Sequence, residues 1–377
     1  MMRLKKFNWP SGLFLIGYHV ALLIGLPIYF SSHTPGWPLL AIAFGLLMLT
    51  EIGIGAAFHR FYAHRSYEIS RPAEAVLLTL GTLAIQGSVL RWAYEHRLHH
   101  AYVDTDRDPY SIKKGFWYAH MGWMFYKSQP INLERVPDLA KNPLVMFQDK
   151  YHALVGLGGN AVIALLVGAL LGDYLGAFVL VFWTRLLLGH HFTWFVNSLA
   201  HTWGAKTYSR EHSAVDNYIL AFLTVGEGYH NYHHTFQSDY RNGFRWYHFD
   251  PSKWTIWILS RLGMARNLTR FDIYRIRKRL LSEDLRLLLE MVRQRGRDGR
   301  SEMEQKITRL AEAMRTKLNR IAQLSAELKS SHARRRSGSD RRLVRIEFKA
   351  LGRSLRDDWR RWARLSDRVL EADALPS

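Results

Sequence analysis

The stretch Gly226-Glu227-Gly228-Tyr229-His230-Asn231-Tyr232-His233-His234 decides the reading of this chain. Histidines at i, i+3 and i+4 fall on one side of a helical turn, so three imidazoles can converge on one point. The same spacing recurs at His96, His99 and His100, a pair stands at His59 and His64, and His201 follows Asn197 by one helical turn. These clusters hold nine of the 18 histidines. A lone histidine is more often a packed side chain than a ligand. At this histidine content a three-position match to H-x-x-H-H is expected roughly 0.05 times by chance, so two copies turn the reading towards metal.

Composition narrows the class. With 377 residues, 48% hydrophobic, and 13 Trp, 18 Tyr and 19 Phe, the apolar residues are gathered in blocks of membrane-spanning length. The absence of cysteine excludes disulfides, iron-sulfur clusters and zinc-thiolate sites. Of the net charge of +20, residues 271–377 carry +12, from 28 Lys+Arg and 16 Asp+Glu. Such a basic tail would fit anionic lipid, an acidic protein or nucleic acid, with an ordinary solvated helix face ranked ahead of all three; for the protein as a whole no nucleic-acid partner is expected.

Arg3, Lys5 and Lys6 precede an apolar run, Leu13–Phe30, with no small-residue cleavage site after it, which reads as a retained first membrane helix. The loop Ser31–Trp37 carries no charge and a second run, Pro38–Phe58, returns to deliver His59, so the positive-inside rule places the N-terminus and His59 in the cytoplasm. Ala75–Leu90 is apolar, but a crossing there would separate His59 and His64 from His96, His99 and His100. It is therefore expected as a buried or re-entrant helix. Ala153–Leu171 and Tyr174–Val196 make the third and fourth spans, joined at Leu171-Gly172-Asp173, and put every histidine cluster on one face. Glu51 and Arg185 lie within spans, where an ionisable group is costly and marks function or pairing.

Asp104, Asp106 and Asp108 resemble the start of a calcium loop, but Pro109 and Gly115 stand where that loop needs Gly and Glu. These carboxylates, with Glu95, Glu227 and Asp239, are better read as orienting imidazoles or forming ion pairs. His59 and His64 are about 140° apart on an ideal helix, so the helix must end, distort or reorient between them. In the tail, Ile307, Met314, Ile321 and Leu328 recur every seven residues with Leu310 and Leu324 between them. Phe348, Leu355, Trp362 and Val369 repeat the pattern with Leu351 and Leu365. The Ser/Arg-rich link Ser330–Arg342 reads as a turn or flexible segment, and the helices as an intramolecular hairpin, a homo-oligomer seam or a docking arm, in that order. Lys317 at a core-type position argues against a long coiled coil.

Neutral imidazoles suit iron, copper, nickel and zinc, and nine exceed the needs of one ion, so two metals are expected. Carboxylate-bridged di-iron bundles use Glu and Glu-x-x-His, and here histidines replace those carboxylates. Asn197 could reach a metal directly or through water.

The ordered set HRFYAH at 59, HRLHH at 96, NSLAH at 197 and GEGYHNYHH at 226 resembles the membrane fatty acyl desaturases, specifically the acyl-CoA delta-9 branch that includes stearoyl-CoA desaturase. The resemblance covers roughly Leu13 to Arg270. It implies an all-α membrane protein with four transmembrane helices under a cytoplasmic helical cap, and two iron ions held by His59, His64, His96, His99, His100, His201, His230, His233 and His234, with Asn197 binding through water. It further implies O2, an external electron donor, a cis double bond placed in a saturated acyl chain, and a kinked tunnel matched by Gln86, Trp92, Thr193 and Trp194. Acyl-CoA is the expected carrier. Tyr94-Glu95 and Lys127-Ser128 depart from the family's CoA-binding surface, so acyl-phospholipid and acyl-carrier-protein substrates stay open, with Lys113, Lys114 and Lys127 as phosphate anchors. Glu51, about two turns before His59, bears on chain-length preference. A hydroxylase on the same metal chemistry and a non-enzymatic metal-binding membrane protein are the alternatives. The expected domains are a desaturase domain, 1–275, and a basic helical extension, 276–377. The expected location is an integral membrane, the inner one in a bacterium.

Overall fold

Hydropathy and length alone pick out four helices able to cross a membrane in the computed structural model, which describes residues 6–294, 300–333 and 338–374. They are α1 (Trp9–Ser32), α2 (Trp37–Ala63), α6 (Pro143–Leu171) and α7 (Tyr174–His201). Between the second and third lie α3 (Arg71–Thr82), α4 (Val89–Tyr102) and the short α5 (Phe116–His120). After α7 come α8 (Tyr218–Leu223), α9 (His230–Thr235) and α10 (Pro251–Arg261). One two-residue ladder, β1 (Glu68–Ile69) against β2 (Ala265–Arg266), is antiparallel and closes the cap. The chain divides into two compact units, one of Met1–Thr207 with Glu211–Arg270, the other of Tyr208–Arg210 with Phe271–Ser377.

In the first unit α1 is the outermost span, 22% buried over its most apolar window, and α7 the most enclosed at 56%. Leu13, Ile16, Val20, Leu23 and Ile24 of α1 are accordingly exposed, as a lipid-facing surface requires. The non-spanning reading of Ala75–Leu90 agrees with α3, which is too short to cross, but the segment is not one helix. It breaks after Thr82, with Ile85 at φ +50° and Gly87 at φ +86°, before α4 starts at Val89. The carbonyls freed by the break are satisfied from the spans. Asn160 Nδ2 and Arg185 Nη1 donate to Leu83 O at 2.9 and 3.2 Å, and His190 Nε2 reaches Ala84 O at 2.9 Å. Arg185 also donates to Asn160 Oδ1 and Val181 O, which accounts for a cation inside a span. α3 lies against α2 through a glycine pair: a Cβ on Gly53 would stand 2.3 Å from Gly81 N.

The second unit contains α11 (Ile273–Gln294), α12 (Arg300–Ala333) and α13 (Gly338–Ala374). Heptad residues Ile307, Met314 and Ile321 are buried with Leu355, Trp362 and Val369, as an intramolecular pairing requires, and a third helix adds Leu281, Leu288 and Val292. The hairpin is therefore one part of a three-helix unit. Lys317 meets Asp358 Oδ2 at 2.5 Å and Ser354 Oγ at 2.7 Å, so its charge is neutralised within the seam. The expected turn at Ser330–Arg342 runs across residues 334–337, which lie outside the described residues.

Candidate metal centre

The conflict between His59 and His64 is resolved in the backbone. From Gly53 to Ala63 the helix is wound as a π-helix, and His64 N donates to His59 O at 3.1 Å, a five-residue closure. The wider turn returns the fifth residue to nearly the same face, and the two imidazole centroids lie 4.8 Å apart. α4 presents His96, His99 and His100, and α9 presents His230, His233 and His234 at the spacing that the sequence shows. Two glycines let the chain enter α9. Gly226 has φ +107° with Asp250 Oδ1 2.6 Å from where a Cβ would stand, and a Cβ on Gly228 would stand 2.2 Å from Ala221 N. Asp216 Oδ1 then accepts from Tyr232 N, and Asn231 Nδ2 donates to Ala214 O, which ties the helix to the loop before α8.

All nine histidines converge, as two groups: His59, His64, His96, His100 and His233, and His99, His201, His230 and His234. Within each group the ligand nitrogens lie within 4.8 Å of one another. Their Nε2 atoms face inward, with His64 to His96 at 2.9 Å, His100 to His233 at 2.9 Å and His59 to His233 at 3.0 Å. In the second group His201 to His230 and His230 to His234 are each 3.1 Å, and His99 to His234 is 3.3 Å. Burial, reinforced by neighbouring imidazoles, holds His64, His96, His100, His230, His233 and His234 well below the usual histidine range. Neutral imidazoles with several inward lone pairs repel one another unless a cation lies between them. This donor set therefore fits two metal ions, and its lack of thiolate and of direct carboxylate fits iron as well as it fits zinc or copper.

The opposite ring nitrogens are held from outside. His59 Nδ1 lies 2.6 Å from Glu227 Oε2, whose other oxygen pairs with Arg60 Nη2 at 2.9 Å. Burial alone would raise the Glu227 carboxyl, but His59 and Arg60 pull it below its ordinary value. His99 Nδ1 meets Asp108 Oδ1 at 3.0 Å, and His96 Nδ1 meets Tyr110 Oη at 3.2 Å. His201 Nδ1 reaches Ser213 Oγ at 2.6 Å, and Ser213 is in turn fixed by Asp104 at 2.5 Å. Of the carboxylates singled out in the sequence, Glu227, Asp108 and Asp104 thus orient imidazoles, Asp104 through a serine. Glu95 pairs with Arg91, Asp239 takes Tyr232 Oη and Arg241, and Asp106 is exposed. Ser213 and Tyr110 carry no sequence signal, because their spacing from the histidines matches no helical or strand period.

A cavity of about 480 Å³ runs beside the first group, with His59 and His96 in its wall. Gln86, Trp92, Thr193, Trp194, Asn197 and Glu51 line it as well. Three of these form a chain: Trp92 Nε1 donates to Gln86 Oε1 at 3.2 Å, and Gln86 Nε2 donates to Thr193 Oγ1 at 2.7 Å. Trp194 is buried and stacks on His190 with centroids 5.2 Å apart. The cavity does not include Lys113, Lys114 or Lys127, which are exposed. Among the described residues its one Lys or Arg is Arg91, which the sequence reading did not select; Ser128 and Asn8 are also in the wall.

Four helices apolar and long enough to span a membrane, two groups of largely buried imidazoles that could hold metal ions, and a mainly apolar cavity beside the first group are the features of a membrane protein with a candidate metal centre. The profile of the fatty acid desaturase family matches residues 35–261, and the chain belongs to that family. It is 42% identical over 292 residues to a probable acyl-CoA desaturase of Schizosaccharomyces pombe, covering 75% of this chain and 59% of that one. Identity with acyl-CoA desaturase 1 of Saccharomyces cerevisiae is 33% over 288 residues, covering 74% and 55%. An sn-1 stearoyl-lipid 9-desaturase of Anabaena variabilis is 37% identical over 276 residues, covering 71% of this chain and 96% of its own. The match thus spans little more than half the length of the two yeast relatives.

Proposed function

We propose that this protein is an oxygen-dependent fatty acyl desaturase that introduces a cis double bond at the delta-9 position of a saturated acyl chain carried by CoA. The observation that supports it is the sharing of one cavity wall by His59 and His96 with Gln86, Trp92 and Thr193. The nine histidines would hold two iron ions, with Asn197 completing the second group through water. When bound, the irons supply the oxidising power to remove two hydrogens from adjacent carbons, using O2 and two electrons from a separate reductase.

The side chains do the positioning. A saturated chain has no polar handle near the reacting carbons, so the place of attack follows from the shape of the cavity and from the anchoring of the headgroup. Trp92, Gln86 and Thr193 lock one another by hydrogen bonds, so the wall beside the first histidine group holds one conformation. The apolar wall excludes water from the reacting carbons. Arg91, with the exposed Lys113, Lys114 and Lys127 beyond, offers cations to a phosphate-bearing carrier. CoA is favoured by the names of the two yeast relatives, and an acyl-lipid by that of the cyanobacterial one. The four apolar helices support a membrane location, and in this reading the histidine groups face the cytoplasm.

The test is product analysis of membranes carrying the protein after feeding a uniformly deuterated saturated fatty acid, with His230→Ala as control. The expected product is a monoene that has lost two deuteriums and is absent from the control. A hydroxy acid in its place would make the protein a hydroxylase; no oxidised product with metal, O2 and a working donor present would make it a binding protein.

A further inference from the structure

Along α13 the cations have a period. From Arg342 they recur at Arg345, Lys349, Arg353, Arg356, Arg360 and Arg364, at intervals of three, four, four, three, four and four residues, and all seven are exposed. Such intervals keep side chains on one strip of a helix. The strip lies roughly 140° around the helix from Phe348, Leu355, Trp362 and Val369, which pack into the core of the unit, and at about 1.5 Å per residue it is about 33 Å long.

Like charges one turn apart repel, so such a strip is costly unless something outside the helix answers it. The protein's own carboxylates answer one of the seven among the described residues. Between residues 342 and 364, Glu347 is taken by Arg320 at 2.7 Å, Asp358 by Lys317 at 2.5 Å, and Asp357 by Arg360 of the strip at 3.3 Å. The other six cations have no ion pair within 4.0 Å among the described residues.

The make-up of the strip selects its partner. A specific protein interface is built round an apolar or aromatic centre. Among the described residues the exposed large hydrophobic side chains of the second unit are Ile273, Leu343, Ile346 and Leu370, none of them aromatic, and only Ile346 falls within the strip. A surface of anionic headgroups asks for charge alone, and a plane meets all the side chains of one helical strip at once. The chain is also tethered to a bilayer: α11 starts at Ile273, three residues beyond Arg270, where the unit that carries the four apolar spans ends. That tether makes the encounter intramolecular and favours lipid over a free polyanion.

We infer that the strip from Arg342 to Arg364 is a docking surface for anionic membrane lipid, recognised through its headgroup phosphates, and that it seats the C-terminal unit on a bilayer. The contact is electrostatic and reversible. Guanidinium and ammonium groups bond to the phosphates, and the apolar side of α13 stays in the unit's own core.

The test uses the full-length protein in bilayer nanodiscs. Because the chain has no cysteine, Ala363→Cys, exposed beside the strip, takes a single fluorescent donor, and a trace of the lipid carries an acceptor on its headgroup. Energy transfer is expected to rise about twofold when phosphatidylglycerol is mixed into phosphatidylcholine, and to return to its starting value in high salt, which screens exposed charges. Arg345→Gln, Lys349→Gln, Arg353→Gln and Arg356→Gln combined are expected to abolish the rise. Arg345→Lys, Arg353→Lys and Arg356→Lys combined should keep it, since the contact needs charge and not a fork geometry; helix melting checks that both variants fold. No rise with phosphatidylglycerol in the wild type, or an equal rise in the glutamine variant, overturns the inference. So does a change produced by polyglutamate or duplex DNA on plain phosphatidylcholine with none from phosphatidylglycerol, which would make the strip a surface for a soluble polyanion.

Discussion

At Glu227 one carboxylate answers three groups: His59 Nδ1 and Asn242 Nδ2, each at 2.6 Å from Oε2, and Arg60 Nη2 at 2.9 Å from Oε1. Because it fixes the ring that faces His233, Glu227→Ala is expected to lower metal affinity about 10- to 100-fold, read as metal content after dialysis against a graded chelator. Ser213→Ala should act in the same direction at His201, by removing the hydroxyl that holds its Nδ1, while the backbone N–H of residue 213 keeps its bond to Asp104. Acid will act on all the ligands at once. The imidazoles of His64, His96, His100, His230, His233 and His234 are held neutral by burial, whereas in the unfolded chain they take up protons near pH ~6.5. The unfolded state then binds more protons as the pH falls. Stability and metal retention should therefore be complete above about pH 6.5 and decline below it, measured as thermal midpoint and bound metal across a pH series.

Elements place these residues by devices that local propensity does not announce. The sequence requires a distortion between His59 and His64, and the protein supplies it as a π-turn extending back to Gly53. Deleting Ala57 should restore α-helical winding, rotate His59 away from His64, and reduce the five-histidine group's metal without removing that of the four-histidine group; metal stoichiometry and absorption spectra check this. The contact of α3 with α2 depends on backbone approach at Gly53 and Gly81. Gly53→Leu should push the helices apart at a cost of about 1–3 kcal/mol, read as a lowered thermal midpoint in detergent. The break after Thr82 was not legible, because its carbonyls are answered by Asn160, Arg185 and His190, which are far away in the chain.

At the scale of the whole molecule the family profile ends at residue 261, and the chain's first compact unit ends at Arg270. All four apolar spans and all nine clustered histidines lie in that unit. Truncation after Arg270 should leave membrane retention and metal content unchanged; sedimentation with washed membranes and metal analysis measure both. The extension has its own core, with Lys317 and Asp358 paired in it. Lys317→Met should destabilise that unit by about 1–3 kcal/mol by leaving Asp358 unanswered, and Lys317→Met with Asp358→Leu should recover most of the loss, seen in helix melting followed by circular dichroism.

Much of this was decided by the sequence alone. Runs of apolar residues long enough to span, an even number of crossings, and imidazoles at i, i+3 and i+4 are local properties, since hydrophobic length and helical period operate over a few turns and need no distant partner. The heptads at Ile307 and Phe348 belong with them. Tertiary structure alone decided how nine histidines divide into groups of five and four, because His96 and His100 join one group while His99, on the same turn, faces the other. It also decided that Arg91, and none of Lys113, Lys114 and Lys127, enters the cavity, and that Glu51 ends a hydrogen-bond series begun at Trp92. Which face of a helix meets which neighbour is set by packing between segments a hundred or more residues apart, and no periodicity within one segment carries that information.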